Sequence, residues 1–301
     1  MSQDFSVAVI GLGAMGMGAA QSCLRAGLAT YGVDLNPVAL EKLKAEGAQV
    51  AQSAVSFAKD LDAVVLLVVN ANQVNAVLFG ENGLAAHLKP GTAVMVSSTI
   101  SAQDAQQISQ KLTELGLFML DAPVSGGAAK AAAGQMTVMA SGSKQAFDKL
   151  QPVLDAVAGK VYNIGEEIGL GATVKIVHQL LAGVHIAAGA EAMALAARAG
   201  IPLDLMYDVV TNAAGNSWMF ENRMKHVVDG DYTPLSMVDI FVKDLGLVTD
   251  TAKSLKFPLP LASTAFNMFT SASNAGYGKE DDSAVIKIFS GIELPNKKGD
   301  A

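Results

Sequence analysis

The chain has 301 residues, enough for one large domain or two of ordinary size, and 51% of them are hydrophobic against 16% charged. A formal net charge of −7 argues against a general nucleic-acid-binding role. Cys23 is the single cysteine, so no internal disulfide can form; this suits a reducing compartment, and its expected role is a small buried hydrophobe in the first helix.

The opening MSQDFS has neither the basic region nor the long apolar core of a signal peptide. Directly after it comes VAVIGLGAMGMG, in which β-favouring residues 7–10 run into Gly11, Gly13 and Gly16. A helical pattern follows over 14–26, then a strand over 29–33 with Asp34 at its end. A dinucleotide site requires this order: strand, glycine turn, helix, second strand, and an acid about twenty residues on. Gly11 permits the tight turn, Gly13 keeps side chains away from a pyrophosphate, and Gly16 lets the helix pack close to the sheet. Leu12, Ala14 and Met15 complete the loop, and the helix N-terminus offers N–H groups and a positive dipole end to phosphate. Asp34 is suited to ribose hydroxyls and opposes a 2′-phosphate, and Leu35-Asn36-Pro37 bring no arginine to receive one. These residues imply NAD.

Further strands are expected over 62–69, 93–97, 117–120, 136–140 and 161–164, with helices between them. Their continuous Val/Leu runs, without alternation, indicate strands buried on both faces of a largely parallel sheet. That is a doubly wound α/β domain, whose ligands bind beyond the carboxyl ends of its strands. Val69 and Asn70 lie at one such end, and Ser97-Ser98-Thr99 at the next. Asp121-Ala-Pro-Val-Ser-Gly-Gly127 follows another strand; Ser125 and the N–H groups of Gly126 and Gly127 can bind a carboxylate, and the same residues also read as a plain flexible turn.

After Gly165 the strand signals stop. One long helix is expected over 169–199, ended by Gly200-Ile201-Pro202, with further helices over 203–213, 217–228, 234–254, 259–275 and 283–289. The expected division is a dinucleotide-binding domain over 1–166, an all-α substrate and oligomerisation domain over 167–292, and a mobile tail over 293–301. Residues 180–199 are almost wholly apolar but include His185, Glu191 and Arg198, which favours burial in protein over lipid. The chain is therefore expected to be cytoplasmic with no membrane partner. Covering so apolar a helix calls for a sister subunit, hence a homodimer or homotetramer.

Lys175 lies inside this helix, with His178 at i+3 and Gln179 at i+4. A lysine in apolar surroundings ordinarily reaches to solvent. Three polar side chains sharing one face instead argue for a lined cavity. Lys243-Asp244 is a fainter candidate, because such pairs often lie on the surface. Trp218 and Phe220 read as core aromatics, His87 and His226 have no metal-site neighbours, and no metal-ligand spacing occurs.

Together these motifs resemble a family. Residues 6–290 resemble the β-hydroxyacid dehydrogenases, the group that includes 3-hydroxyisobutyrate dehydrogenase and tartronate semialdehyde reductase. The family's G-x-G-x-M-G matches Gly11 to Gly16, D-x-P-V-S-G-G matches Asp121 to Gly127, and G-x-[LM]-T matches Gly134 to Thr137. Its G-x-x-x-K places Gly171 and Lys175, and K-D-L matches Lys243 to Leu245. Where the family usually has two asparagines, this chain has His178 and Gln179, a form similar to a branch that oxidises a four-carbon sugar acid at C2.

The resemblance implies NAD as cofactor and a small hydroxy acid as substrate. It implies that Ser125 and the Gly126 and Gly127 amides hold the substrate carboxylate, with Lys175 as general acid/base. His178 and Gln179 would position substrate hydroxyls, Thr99 would sit near nicotinamide and substrate, and Lys243 would close over the site. The chemistry agrees: oxidising an alcohol needs a proton acceptor, and lysine serves near neutral pH when burial or nearby positive charge disfavours its ammonium. A semialdehyde reductase or 3-hydroxyisobutyrate dehydrogenase is the rival within the class. A non-catalytic dinucleotide-binding module is the rival outside it, opposed by the presence of Lys175, Ser125 and both glycines.

Overall fold

A computed structural model describes residues 5–297. Part of the opening MSQDFS (1–4) and part of the expected tail (298–301) lie outside the described residues. The chain divides into two compact units, Met1–Lys175 and Ile176–Ala301.

The first unit is built on one sheet. Its strands are β1 (Ser6–Ile10), β2 (Ala29–Val33), β3 (Gln49–Ala51), β4 (Ala63–Leu66), β5 (Ala93–Val96), β6 (Phe118–Asp121), β7 (Val124–Ser125), β8 (Met136–Ser141) and β9 (Ala158–Gly165). They lie in the order β3-β2-β1-β4-β5-β6-β8-β7, with β9 paired to β8. The first six in that order are parallel, and β8 runs antiparallel to both β6 and β7. The helices are α1 (Ala14–Arg25), α2 (Pro37–Ala45), α3 (Ala71–Phe79), α4 (Ala102–Glu114), α5 (Gly127–Ala132) and α6 (Lys144–Val157).

Side chains alternate across a strand, and β1 feeds both faces. Val7 and Val9 pack with Cys23 of α1 and Leu150 of α6, while Ala8 and Ile10 pack with Leu78 of α3 and Ile108 of α4. Both faces are covered, which is why the strands are apolar throughout. Strand order reverses between β1 and β4, and that reversal opens a crevice at the carboxyl edge. The expected strand over 62–69 stops at Leu66, because Leu67 and Val68 turn across Gly11. β3 and β7 were not legible as apolar runs: β3 is a three-residue edge strand, and β7 has two residues.

α7 (Leu170–Arg198) is a single 29-residue helix that runs from the first unit into the second. By length and composition it could cross a membrane, yet half of its most apolar stretch is buried inside the protein. The second unit continues with α8 (Leu203–Thr211), α9 (Trp218–Asp229), α10 (Val238–Ser254) and α11 (Pro260–Ala272), followed by a 3-10 segment, Asp282–Ile288. Its core joins Ile186, Met193, Phe220, Met224, Leu245 and Phe269. Small residues on α7 allow close packing: a Cβ at Gly183 would lie 2.9 Å from the Leu245 side chain.

Two expectations need correction here. The helix expected from 234 begins at Val238, because the preceding loop is pinned elsewhere: Leu235 N–H donates to Asp281 Oδ2 at 3.0 Å, and Asp282 N–H to Ser236 O at 2.8 Å. Trp218 is not a core aromatic. α9 buries Phe220, Arg223, Met224 and Val227 on one face, and Trp218, about 200° around the helix from Phe220, is 56% exposed.

Candidate active site

At the carboxyl edge of the first unit, the three glycines of the opening turn answer different demands. Gly11 has φ +91°, and a Cβ there would lie 2.8 Å from Leu67 O; at Gly16 it would lie 1.7 Å from Gly11 O. Nothing lies within 4 Å of a Cβ built on Gly13. Protein packing thus requires the first and third glycines, while the second keeps open the approach to the α1 N-terminus, which carries no side-chain cap.

Asp34 stands at the end of β2 and clamps this loop. Its Oδ2 accepts the Leu12 N–H at 2.6 Å, and its Oδ1 accepts the Asn36 N–H at 2.8 Å. A cleft of about 420 Å³ beside it is lined by Leu12, Gly13, Ala14, Asn36, Val38 and Lys42, among others. Open backbone at Gly13, an uncapped helix terminus and a carboxylate at the second strand fit a dinucleotide. On the same edge, Val69 N–H donates to Gln73 Oε1 at 2.7 Å, and Asn70 caps α3 by accepting the Gln73 N–H at 2.9 Å. Thr99 follows the buried pair Ser97-Ser98 and is half-buried.

The turn bearing Ser125 ends β7, and its glycines are conformationally required: φ is +132° at Gly126 and +71° at Gly127. It leads into α5, which packs against α1 so closely that a Cβ at Gly18 would lie 2.4 Å from Ala132 N. Ser22 Oγ also donates to Ala131 O at 3.0 Å. The glycine loop and the Ser125 turn therefore share one packed helix pair.

Asp121, the first residue of the same motif, does something that sequence reasoning did not assign. Its buried Oδ2 accepts N–H groups of Gly169 at 3.0 Å and Ala172 at 2.9 Å, and the Ser141 hydroxyl at 3.3 Å. Ser141 Oγ in turn accepts the Gly171 N–H at 3.0 Å. Strand residues far away in sequence thus satisfy the first turn of α7. Burial pushes the Asp121 carboxyl up, and the Ala172, Gly169 and Gly171 N–H groups and the Ser141 hydroxyl pull it back. Gly171 fits against the sheet because it lacks a side chain: a Cβ would lie 2.5 Å from Asp121 O and 2.7 Å from Met139 O. One helical turn beyond Gly171 sits Lys175, 6% exposed despite its charge.

In the second unit, Gln179 is 7% exposed while His178 is exposed. Gln179 Nε2 donates to Asp244 Oδ2, and Gln179 Oε1 lies 2.9 Å from His178 Nδ1. Asp244 is 2% exposed, and its Oδ1 is 2.6 Å from Lys243 Nζ. The Lys243-Asp244 pair, the fainter candidate of the sequence, is therefore not a surface pair, and the tie from Asp244 to Gln179 is a contact that sequence reasoning did not foresee. Among the described residues, no cluster of three or more His, Cys, Asp or Glu could hold a metal.

The first unit thus gathers Gly11 to Gly16, Asp34, Val69, Asn70 and Thr99 along one strand edge, with the Ser125 turn tied to the loop through α1. The second gathers His178, Gln179 and Lys243 around Asp244. This fold and these residues define a dinucleotide-binding oxidoreductase.

Residues 6–165 match the family model for the NAD binding domain of 6-phosphogluconate dehydrogenase. Residues 169–289 match that described as NAD-binding of NADP-dependent 3-hydroxyisobutyrate dehydrogenase. The chain is 83% identical over 297 residues to an L-threonate dehydrogenase of Haemophilus influenzae, covering 98% of this chain and 99% of that one. It is 75% identical to an L-threonate dehydrogenase of Escherichia coli K12, covering 98% of each. The crystal structure of a 3-hydroxyisobutyrate dehydrogenase from Salmonella typhimurium superposes with a TM-score of 0.93 at 74% identity, covering 95% of this chain and all of that one. The chain belongs to the β-hydroxyacid dehydrogenase family, in its L-threonate dehydrogenase branch.

Proposed function

We infer that this protein oxidises L-threonate at C2 to the 2-oxo acid (2-dehydro-L-threonate) with NAD. The observation that carries the reading is full-length identity of 75–83% to four L-threonate dehydrogenases, joined to a site in which His178 and Gln179 replace the family's paired asparagines. One specific finding favours a second reading: the Salmonella structure, at 74% identity, bears the name 3-hydroxyisobutyrate dehydrogenase.

NAD, when bound at the Gly11–Gly16 loop, would supply the acceptor for the hydride of the carbinol carbon. Lys175, buried on the first turns of α7, takes the hydroxyl proton as hydride leaves, and returns one in the reverse reaction. Ser125 Oγ and the N–H groups of Gly126 and Gly127 receive the substrate carboxylate. Thr99 borders the reacting centre at the strand edge. His178 and Gln179 govern the hydroxyls farther along the acid, and Lys243, paired with Asp244, supplies a positive charge for the acid. The Gly11–Gly16 loop, Asp34, Val69 and Asn70 hold the cofactor, and Asp34 disfavours a 2′-phosphate.

The division at 166 and 292 into dinucleotide-binding, helical and tail segments is kept as part of this reading. So are a cytoplasmic location and a homodimer or homotetramer. Support for self-association comes from apolar residues left outside on α7, with Val177 59%, Leu181 53% and Leu195 70% exposed.

The test is NADH formation by the purified enzyme with L-threonate, D-threonate, D-erythronate, L-serine, 3-hydroxyisobutyrate and glycerate, with NAD and NADP in parallel. The reading expects L-threonate with NAD to give the highest kcat/KM. Preferred turnover of 3-hydroxyisobutyrate would replace it with the second reading.

A further inference from the structure

A helix opens with four N–H groups that its own turns cannot satisfy, and in α7 each of them has a partner. Leu170 N–H donates to Glu167 O at 3.4 Å and Thr173 N–H to Gly169 O at 2.9 Å. The two between them reach the sheet: Gly171 N–H donates to Ser141 Oγ and Ala172 N–H to Asp121 Oδ2. A backbone N–H only donates, so the Ser141 hydroxyl accepts there and directs its single hydrogen to Asp121 Oδ2. With Gly169 N–H added, three donors converge on one carboxylate oxygen. The other oxygen, Oδ1, is buried and has no hydrogen-bond partner among the described residues. The accepting capacity of this side chain is thus aimed at one helix end.

Asp121 and Ser141 act together because they face each other as a pair on β6 and β8. Asp121 also begins the segment that ends in Ser125, Gly126 and Gly127. One stretch of seven residues therefore anchors α7 at its first residue and forms the Ser125 turn at its last three. Lys175 lies three residues beyond Ala172. A helix advances about 1.5 Å and turns about 100° per residue, so a one-residue slip of α7 would displace Lys175 by that much against the turn. We propose that Asp121 is a positioning residue for the reaction, which with Ser141 sets the start of α7 and so the place of Lys175 relative to the Ser125 turn. The proposal rests on the reading above of Lys175 as general acid/base and of that turn as the carboxylate site.

The test is a double-mutant cycle in the full-length enzyme, with kcat measured on whichever acid of the panel above it turns over best. Asp121→Ala is expected to lower kcat at least about thirtyfold, because a misplacement of about 1 Å at a reacting group costs up to about a hundredfold. NADH affinity should be unchanged. In the Lys175→Ala background the same substitution should lower kcat no further, since a residue acting through Lys175 loses its effect when Lys175 is gone. Asp121→Asn keeps an oxygen for the α7 N–H groups and places its NH2 where Oδ1 has no partner. It should restore kcat to within a few-fold of native. Ser141→Ala removes the link to Gly171 and should lower kcat about tenfold. It takes the place of Asp121→Ala in the cycle if that variant fails to fold.

A native kcat in Asp121→Ala, or an equal loss with and without Lys175, overturns the positioning role. So does a loss of NADH affinity that parallels the loss of kcat, or an Asp121→Asn variant as slow as Asp121→Ala. Turnover near the native rate in Lys175→Ala alone overturns the acid/base reading instead, and the positioning role with it. A preferred acid other than L-threonate overturns only the substrate reading, because the cycle is then run on that acid.

Discussion

Asp34 illustrates how one side chain serves structure and binding together. Its two carboxylate oxygens tie the glycine loop to the segment after β2, through Leu12 N–H and Asn36 N–H, and Leu12 and Asn36 in turn line the cleft beside the α1 N-terminus. Asp34→Ala removes the clamp and the negative charge together. Charge-assisted hydrogen bonds contribute on the order of 1.5–3 kcal/mol, so KM for NAD is expected to rise at least about tenfold while kcat falls only a few-fold. Steady-state kinetics with NAD varied checks this; an unchanged KM would remove Asp34 from the cofactor site. The glycines and Asp34 were legible because their spacing encodes backbone geometry. The contacts of Asp121 and Asp244 were not, because their partners lie far along the chain: Asp121 reaches residues 169 and 172, and Asp244 reaches Gln179.

Elements carry these contacts into place. α7 starts where it does because Asp121 and Ser141 supply its first N–H groups with acceptors, and Gly171 lets it approach the sheet. Gly171→Ala would drive a Cβ to 2.5 Å from a carbonyl oxygen of the backbone, which cannot rotate away. Overpacking of this kind costs about 1–3 kcal/mol, and displacement of the helix start would move Lys175. Denaturant unfolding is expected to show that loss, and kcat should fall at least about tenfold, since small misplacements of a reacting group are costly. Wild-type stability and kcat together would contradict the account.

The last helical segment is joined to α9 by Arg223 and Asp282, 2.7 Å apart and both buried. Burial pushes the Asp282 carboxyl up to about 8, against the opposing pull of Arg223. Between about pH 4 and pH 8 the folded chain thus retains a proton that the unfolded chain releases, so this group's contribution to stability declines as pH rises through that window. Asp282→Asn abolishes the titration. The stability of Asp282→Asn relative to wild type should therefore improve from pH 5 to pH 8, by more than about 1 kcal/mol. Denaturant midpoints at the two pH values measure it; a constant difference would refute the raised carboxyl.

At the scale of the molecule, sequence patterning delivered the doubly wound sheet and the helical second half, because buried strands and long helices leave continuous apolar signals. It placed Trp218 in a core it does not enter, since aromatic character alone does not say which side of a helix is covered. It missed β3 and β7, whose few residues are set by pairing with neighbours and not by their own composition. It singled out Lys175 from an anomaly, a charge within an apolar helix, and the structure buries that lysine.

The most direct test of the whole account is turnover of L-threonate with NAD by Lys175→Ala, set beside NADH binding by the same variant. The account predicts a fall in kcat of at least about a thousandfold, within the range for loss of a general acid/base, with NADH affinity within a few-fold of wild type. Turnover near the wild-type rate in a folded variant would show that another group moves the proton, and the assignment of Lys175 would be wrong.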